Sequence, residues 1–164
     1  MILKMKKMIT LLLVISASIA NAQAYKGKGD IKGQVGASFQ NGGTGLLISA
    51  DFGIGENMSY GFVGNYLLSA NEFAKFEDRV DFKARFNANI GNVIGLDEKM
   101  DIYPGLDLGL RNLGAHLGYR YFFTDGFGLF GEVGIPIAKY NSDNSGFRTY
   151  NNQFTVNFGA SFNL

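Results

Sequence analysis

Apolar and polar side chains alternate along this chain in eight separate stretches, and a period of two marks a strand whose two faces meet different surroundings. Ile31, Gly33, Val35, Ala37 and Phe39 alternate with Lys32, Gln34, Gly36, Ser38 and Gln40. After the turn residues Asn41-Gly42-Gly43, Leu46, Ile48, Ala50, Phe52 and Ile54 face away from Leu47, Ser49, Asp51 and Gly53. The third stretch sets Met58, Tyr60, Phe62, Tyr66 and Leu68 against Ser59, Gly61 and Asn65. The fourth has no miss: Val80, Phe82, Ala84, Phe86, Ala88 and Ile90 against Asp81, Lys83, Arg85, Asn87 and Asn89.

In the fifth, Met100, Ile102, Leu106, Leu108 and Leu110 oppose Asp101, Tyr103, Asp107 and Arg111. Pro104 lies within it and has no N–H to give, so a bulge or a local break in pairing is expected there. The sixth sets Ala115, Leu117, Tyr119, Tyr121 and Phe123 against His116, Gly118 and Arg120. Past the turn Thr124-Asp125-Gly126, the seventh has Phe127, Leu129, Val133, Ile135 and Ile137 on one side and Glu132 on the other. The eighth carries Phe154, Val156, Phe158, Ala160, Phe162 and Leu164 against Thr155, Asn157, Ser161 and Asn163.

Segments of about ten residues, even in number and joined by turns, are what a barrel needs to cross a bilayer. The pattern therefore predicts an all-β fold, a closed antiparallel up-and-down eight-stranded transmembrane β-barrel formed by residues 23–164. Closure also answers a physical demand, because a sheet edge facing lipid leaves backbone groups without partners.

The apolar faces carry no charge, while the opposite faces collect Lys32, Lys83, Arg85, Arg111 and Arg120 with Asp51, Asp81, Asp101, Asp107 and Glu132. An eight-stranded barrel is only wide enough inside for side chains, so these charges must pair when buried. Counting across the hairpins puts Lys83 or Arg85 level with Asp107 and Arg120 close to Glu132. The expectation is a plug of ion pairs and amides rather than a pore. Alternation alone does not fix which face points outward. A soluble lipocalin-like carrier of apolar ligands is the inverted alternative.

Upstream of the strands stand Lys4, Lys6 and Lys7, an apolar run from Met8 to Ile19, and Ala20-Asn21-Ala22 before Gln23. A basic head, a short apolar core and a small-residue exit predict a cleavable signal peptide over residues 1–22; the core is too short to span a membrane. The chain has no cysteine, which excludes a lipidated cysteine anchor and a disulfide framework. Removing residues 1–22 takes the formal charge from +1 to −2. Such a balance gives no reason to expect nucleic acid as a partner. Export with a barrel pattern points to the cell outer membrane of a Gram-negative bacterium.

With the N-terminus in the periplasm, the connections 69–79 and 139–153 fall outside and are long, as outer loops usually are. The turns at Gly55–Asn57 and Thr124–Gly126 fall inside and are short; the inner connection Gly91–Lys99 is unusually long, and the outer one near Asn112 is very short. Tyr66, Tyr121, Phe123 and Phe127 near strand ends suit an aromatic belt, although the chain has no tryptophan. Phe73, Phe76, Tyr140, Phe147 and Tyr150 in the outer loops can anchor a partner or rest on the rim.

Three motifs need weighing. Gly126 to Gly131 reads G-x-G-x-x-G, but these glycines continue a strand where a nucleotide site needs a helix to follow. Asn141, Asp143, Ser145 and Gly146 imitate the start of a calcium loop, yet position 12 is Asn152 rather than the bidentate glutamate such a loop uses. His116, the only histidine, is a general-base candidate for an outer-membrane lipid-modifying hydrolase or acyltransferase near the outer rim, but it shares the inward face with Arg120. No serine lies on its strand or on the fifth. No catalytic, cofactor-binding or metal site is therefore assigned.

The signal, the strand pattern, the run from Gly114 to Asp125 and the final strand together resemble the small outer-membrane barrels of the OmpA/OmpX type, over residues 23–164. The resemblance implies assembly by the barrel-assembly machinery through the C-terminal strand Phe154–Leu164, which here ends in Leu164 rather than the usual Phe. That broad group includes adhesins, integrity factors, receptors and a few lipid-modifying enzymes. The expectation is a non-enzymatic outer-membrane protein in contact with outer-membrane lipid. It serves membrane integrity or surface adhesion and ligand contact through loops 69–79 and 139–153.

Overall fold

The computed structural model describes residues 23–140 and 147–164. The predicted signal peptide and the calcium-like Asn141–Gly146 lie outside the described residues. Eight strands follow in chain order: β1 (Ile31–Gln40), β2 (Gly43–Gly53), β3 (Met58–Ser69), β4 (Val80–Ala88), β5 (Met100–Gly109), β6 (Asn112–Phe122), β7 (Phe127–Lys139) and β8 (Thr155–Asn163). A single helical turn, α1 (Phe76–Arg79), interrupts the connection between β3 and β4.

Each strand pairs antiparallel with the next, and β8 returns to pair with β1 from Lys32↔Asn163 to Gln40↔Thr155. The sheet is thus a closed, up-and-down barrel of eight strands, without a free edge.

The alternation resolves into an apolar outside and a polar inside. Ile48 and Leu108 are each 61% exposed, and Val35, Phe62, Phe82, Leu117, Ile135 and Phe158 share that outer surface. Lys32, Asp51, Arg85, Asn87, Asp101 and Arg120 are buried within the lumen. The inverted, lipocalin-like arrangement is therefore not the one this chain adopts. A few apolar residues of inward parity, Leu47, Val63, Tyr103, Phe122 and Phe130, are buried among the charges and fill volume between them.

At Pro104 the pairing breaks locally, as its missing N–H requires. The β4–β5 ladder runs from Lys83↔Gly109 to Asn87↔Gly105 and stops there. The same register resumes where Ile90 N donates to Ile102 O at 2.9 Å. On its other side Pro104 stays level with Leu117.

Both mouths are covered. At the end that holds both chain termini, the inner end in the orientation expected from the sequence, residues 23–30 cross beneath the barrel: Ala24 N donates to Glu98 O at 2.7 Å, and Ala24 packs on Phe122, both fully buried. The Tyr25 hydroxyl donates toward Gly55 O (2.9 Å) and Met58 O (2.5 Å). Gly27 and Gly29 take φ of 91° and 87°, the left-handed values that let the segment fold back. At the outer end, Leu67, Ala74 and Tyr150 form a small core that joins loop 69–79 to residues 147–153.

Candidate functional site

The feature that sets this barrel apart chemically is its lumen, a column of charged and amide side chains between two covered mouths. Arg85 on β4 is its hub, 3% exposed. Its Nε and Nη2 donate to the two carboxylate oxygens of Asp51 at 2.6 Å each. Nη1 donates to Glu132 at 3.0 Å, and Nη2 also reaches Gln34 Oε1 and Ser49 Oγ at 3.0 Å. One guanidinium thereby links β4 to β1, β2 and β7. The paired, bidentate geometry is the kind that compensates desolvation of a buried charge.

Arg120 is the second hub. Its Nε and Nη2 donate to Asp101 at 3.2 and 3.0 Å, Nη2 also donates to Asn89 at 2.5 Å, and the guanidinium lies 4.3 Å from the centre of the Tyr103 ring. Toward the inner end, Lys32 pairs with Asp30 at 2.5 Å. Toward the outer end, Lys83 stands 3.8 Å from Asp81.

The expected register holds for Arg85 and is displaced by two residues for Arg120, and neither expected pairing forms. Arg85 is level with Asp107, but its ion pairs are with Asp51 and Glu132, because Asp107 is engaged by His116 Nδ1 at 3.0 Å. Arg120 is opposite Phe130, while Glu132 faces Gly118, and Arg120 takes Asp101, its direct neighbour on β5.

Glycines on intervening strands make these bridges possible. Asp51, Gly61 and Arg85 form one row across β2, β3 and β4. A Cβ at Gly61 would lie 2.2 Å from Asp51 Oδ1. Asn87, Gly105 and His116 form another row across β4, β5 and β6, and a Cβ at Gly105 would lie 2.4 Å from the His116 ring. Gly118 likewise leaves room for the ring of Tyr103 opposite it, whose nearest atom would be 2.0 Å from a Cβ. Of the glycines in the G-x-G-x-x-G string, Gly128 is crowded by the backbone of Tyr121 and the ring of Phe122. It sits inside β7, paired to Phe122.

His116 is the fifth residue of β6, about 13 Å of strand below its outer end rather than at the rim. Its Nδ1 engages Asp107, as a base engages its orienting acid in a hydrolytic triad. Its Nε2, which would activate a nucleophile, is instead 2.9 Å from Asn87 Oδ1. Ser59 lies behind that amide, accepting from Asn87 Nδ2 at 3.1 Å. The group placed where a nucleophile would stand is therefore an unreactive amide. Among the described residues no group of three His, Cys, Asp or Glu side chains is placed to hold a metal ion. Asn152, the twelfth position of the calcium-like stretch, is buried and accepts from Asn112 Nδ2 at 2.9 Å as part of the outer cover.

A cavity inside the outer half, lined by residues that include Asn65, Lys83, Asp107 and Asn157, measures about 20 Å3, room for a single water. The outer cover itself is a net of amides. Gln40 Nε2 donates to Asn151 Oδ1 at 3.2 Å, and Asn151 N returns a bond to Gln40 Oε1 at 2.8 Å. Asn112 Nδ2 also donates to Asn151 O at 3.1 Å, and Gln153 Nε2 donates to Asn41 O at 2.8 Å. This net joins the outer ends of β1, β6 and β8. Nothing in strand periodicity signals it, and the density of Asn and Gln at 151–153 is the only hint in the sequence.

A closed eight-stranded barrel, apolar outside and filled with paired charges inside, is the class of protein these features define. The chain belongs to DUF6646, a family of unknown function, whose profile matches residues 15–164. No curated protein sequence matches it. Among solved structures it is similar to one described as "De novo design of transmembrane beta-barrels", with a TM-score of 0.54 and 9% identity, covering 85% of this chain and 98% of that one. At that identity the likeness is one of fold alone.

Proposed function

We propose that this protein is exported by its signal peptide and embedded in a bacterial outer membrane as a sealed barrel, akin to the small OmpA/OmpX-type proteins. It serves envelope integrity or surface contact through its outer loops, without pore or enzyme activity. The observation that carries this reading is the polarity of the barrel: its outer surface is apolar around the whole circumference, while the charges are buried and paired within. Water gives no driving force for that arrangement, and a bilayer does. Sealing follows from the same side chains, since Arg85 and Arg120 fill the lumen where a conducting barrel keeps water. The final strand, with Phe154, Val156, Phe158 and Phe162 outward, is the segment that the barrel-assembly machinery would read.

The absence of cysteine gives a clean test. Glu72→Cys in the outer connection and Glu98→Cys in the inner one are made singly and treated on intact cells with a membrane-impermeant maleimide. Labelling of residue 72 in intact cells, with residue 98 labelled only after lysis, is expected. Equal labelling of both in a soluble fraction would overturn the reading.

A further inference from the structure

Loop 69–79 is held rigidly and yet exposes two phenylalanines, and this combination carries a binding role. The Arg79 guanidinium donates to Ala74 O at 3.1 Å, Leu68 O at 3.2 Å and Asn71 O at 3.2 Å, tying the loop to the end of β3. Asn71 Oδ1 accepts from Phe73 N at 3.0 Å, and Asp78 Oδ2 accepts from Lys75 N at 2.9 Å. The Tyr150 hydroxyl accepts from Asn71 N at 3.1 Å, fixing the loop to the outer cover as well. On this pinned scaffold Phe73 is 76% exposed and Phe76 70% exposed. Ordering a loop costs conformational entropy, and here that cost is met within the loop, so the two rings are presented in one arrangement.

Their direction identifies the partner. Phe76 lies against Tyr66 with ring centres 5.9 Å apart, and Tyr66 belongs to the outward, apolar face of β3 with Leu68, Phe62 and Tyr60. The loop therefore leans over the outside of the barrel, and its aromatic surface continues the apolar band instead of the mouth. Lys75 stands between the two rings in sequence, exposed, with a stem long enough to lay its ammonium among phosphates.

We propose that Phe73 and Phe76 are a membrane hook, inserted at the boundary between acyl chains and headgroups of the outer leaflet, with Lys75 directed at lipid phosphate. This rests on the membrane reading given above. Girdles of aromatic residues flank the apolar band of transmembrane barrels at that depth, and phenylalanine is among the apolar side chains that interfacial segments bury at the boundary of headgroups and acyl chains. The hook fixes the height of the barrel on the β3–β4 side.

The chain has no tryptophan, so Phe73→Trp, Phe76→Trp and, as a reference on the barrel wall, Phe62→Trp each give a single fluorophore. The full mature chain is reconstituted into phosphatidylcholine vesicles in which part of the lipid carries bromine on the upper acyl carbons. Blue-shifted emission at residues 73 and 76, quenched by the brominated lipid and protected from aqueous iodide, is expected. Emission at 73 and 76 that is red-shifted and quenched by iodide, with residue 62 still quenched by bromine, would overturn the hook. It would leave the rings to a protein partner. If residue 62 also escapes bromine, the membrane reading fails first.

Discussion

Arg85 and Asp51 stand on β4 and β2, two strands apart, and their side chains meet at 2.6 Å over Gly61 of the strand between. The glycine is as much a part of the ion pair as its two charged members. Gly61→Ala puts a Cβ 2.2 Å from Asp51 Oδ1 and 2.4 Å from Ala50 O. The carboxylate can turn away only by losing the guanidinium, and the backbone cannot yield without bending the β2–β3 ladder. A loss of about 1 to 3 kcal/mol is expected. It would be read from the urea midpoint of the barrel in lipid vesicles, while Gly126→Ala, where a Cβ meets nothing within 4 Å, shifts that midpoint little.

Arg85→Met leaves Asp51 and Glu132 buried without their main cation. Removal of one partner from a buried pair costs about 3 to 5 kcal/mol, and the same denaturation series would show it. The triple change Arg85→Met, Asp51→Asn, Glu132→Gln removes the charges together and is expected to recover most of the loss, since Arg120 keeps Asp101 at 3.0 Å. A triple variant as unstable as the single one would show that the hub acts through packing rather than charge.

His116 touches two acceptors and no nucleophile. His116→Phe is expected to destabilise the barrel, by stranding Asp107 and Asn87, and to leave the acylation pattern of outer-membrane lipid unchanged when lipids are analysed by mass spectrometry. A change in acylation at equal protein level would revive a lipid-modifying role for this residue.

Tyr25 gives the inner cover a dependence on pH. Burial, with the nearby charge of Asp30, pushes its phenol up to about 12, from an ordinary value of about 10. The folded protein therefore holds that proton more tightly than the unfolded chain. The docked arrangement keeps its full stability below about pH 10 and loses it as pH rises from there toward 12. Cleavage after Lys26 or Lys28 by a short pulse of trypsin added at each pH, relative to an unstructured lysine peptide cut in the same tube, should increase across that window. In Tyr25→Phe that increase should be absent.

The fold was legible because period-two alternation is a local property, and each of the eight segments states it independently. Fourth-strand residues such as Arg85 and Asn87 could be assigned to the inward face from sequence alone. Their partners could not. Register across a hairpin finds the neighbour in the ladder, but in a lumen this narrow a long side chain reaches past its neighbour to the next strand. Arg85 passes Asp107 because His116 already holds it, and Arg120 turns to β5 instead of β7. The glycines in those rows were the missed signal: Gly61 between Asp51 and Arg85, and Gly105 between Asn87 and His116, mark where a bridge crosses. The inner cover by Ala24 and Tyr25 left no periodic trace, since those residues precede the first strand and act through single contacts.

The central claim, a sealed barrel resident in a membrane, is tested most directly by heat-modifiability. The cell envelope is separated from soluble protein, and unheated and boiled samples are compared on a denaturing gel. The closed ladder and buried ion pairs predict a band in the envelope fraction that runs faster unheated and shifts to the position of the unfolded chain on boiling. Recovery in the soluble fraction, with identical mobility before and after boiling, would contradict it.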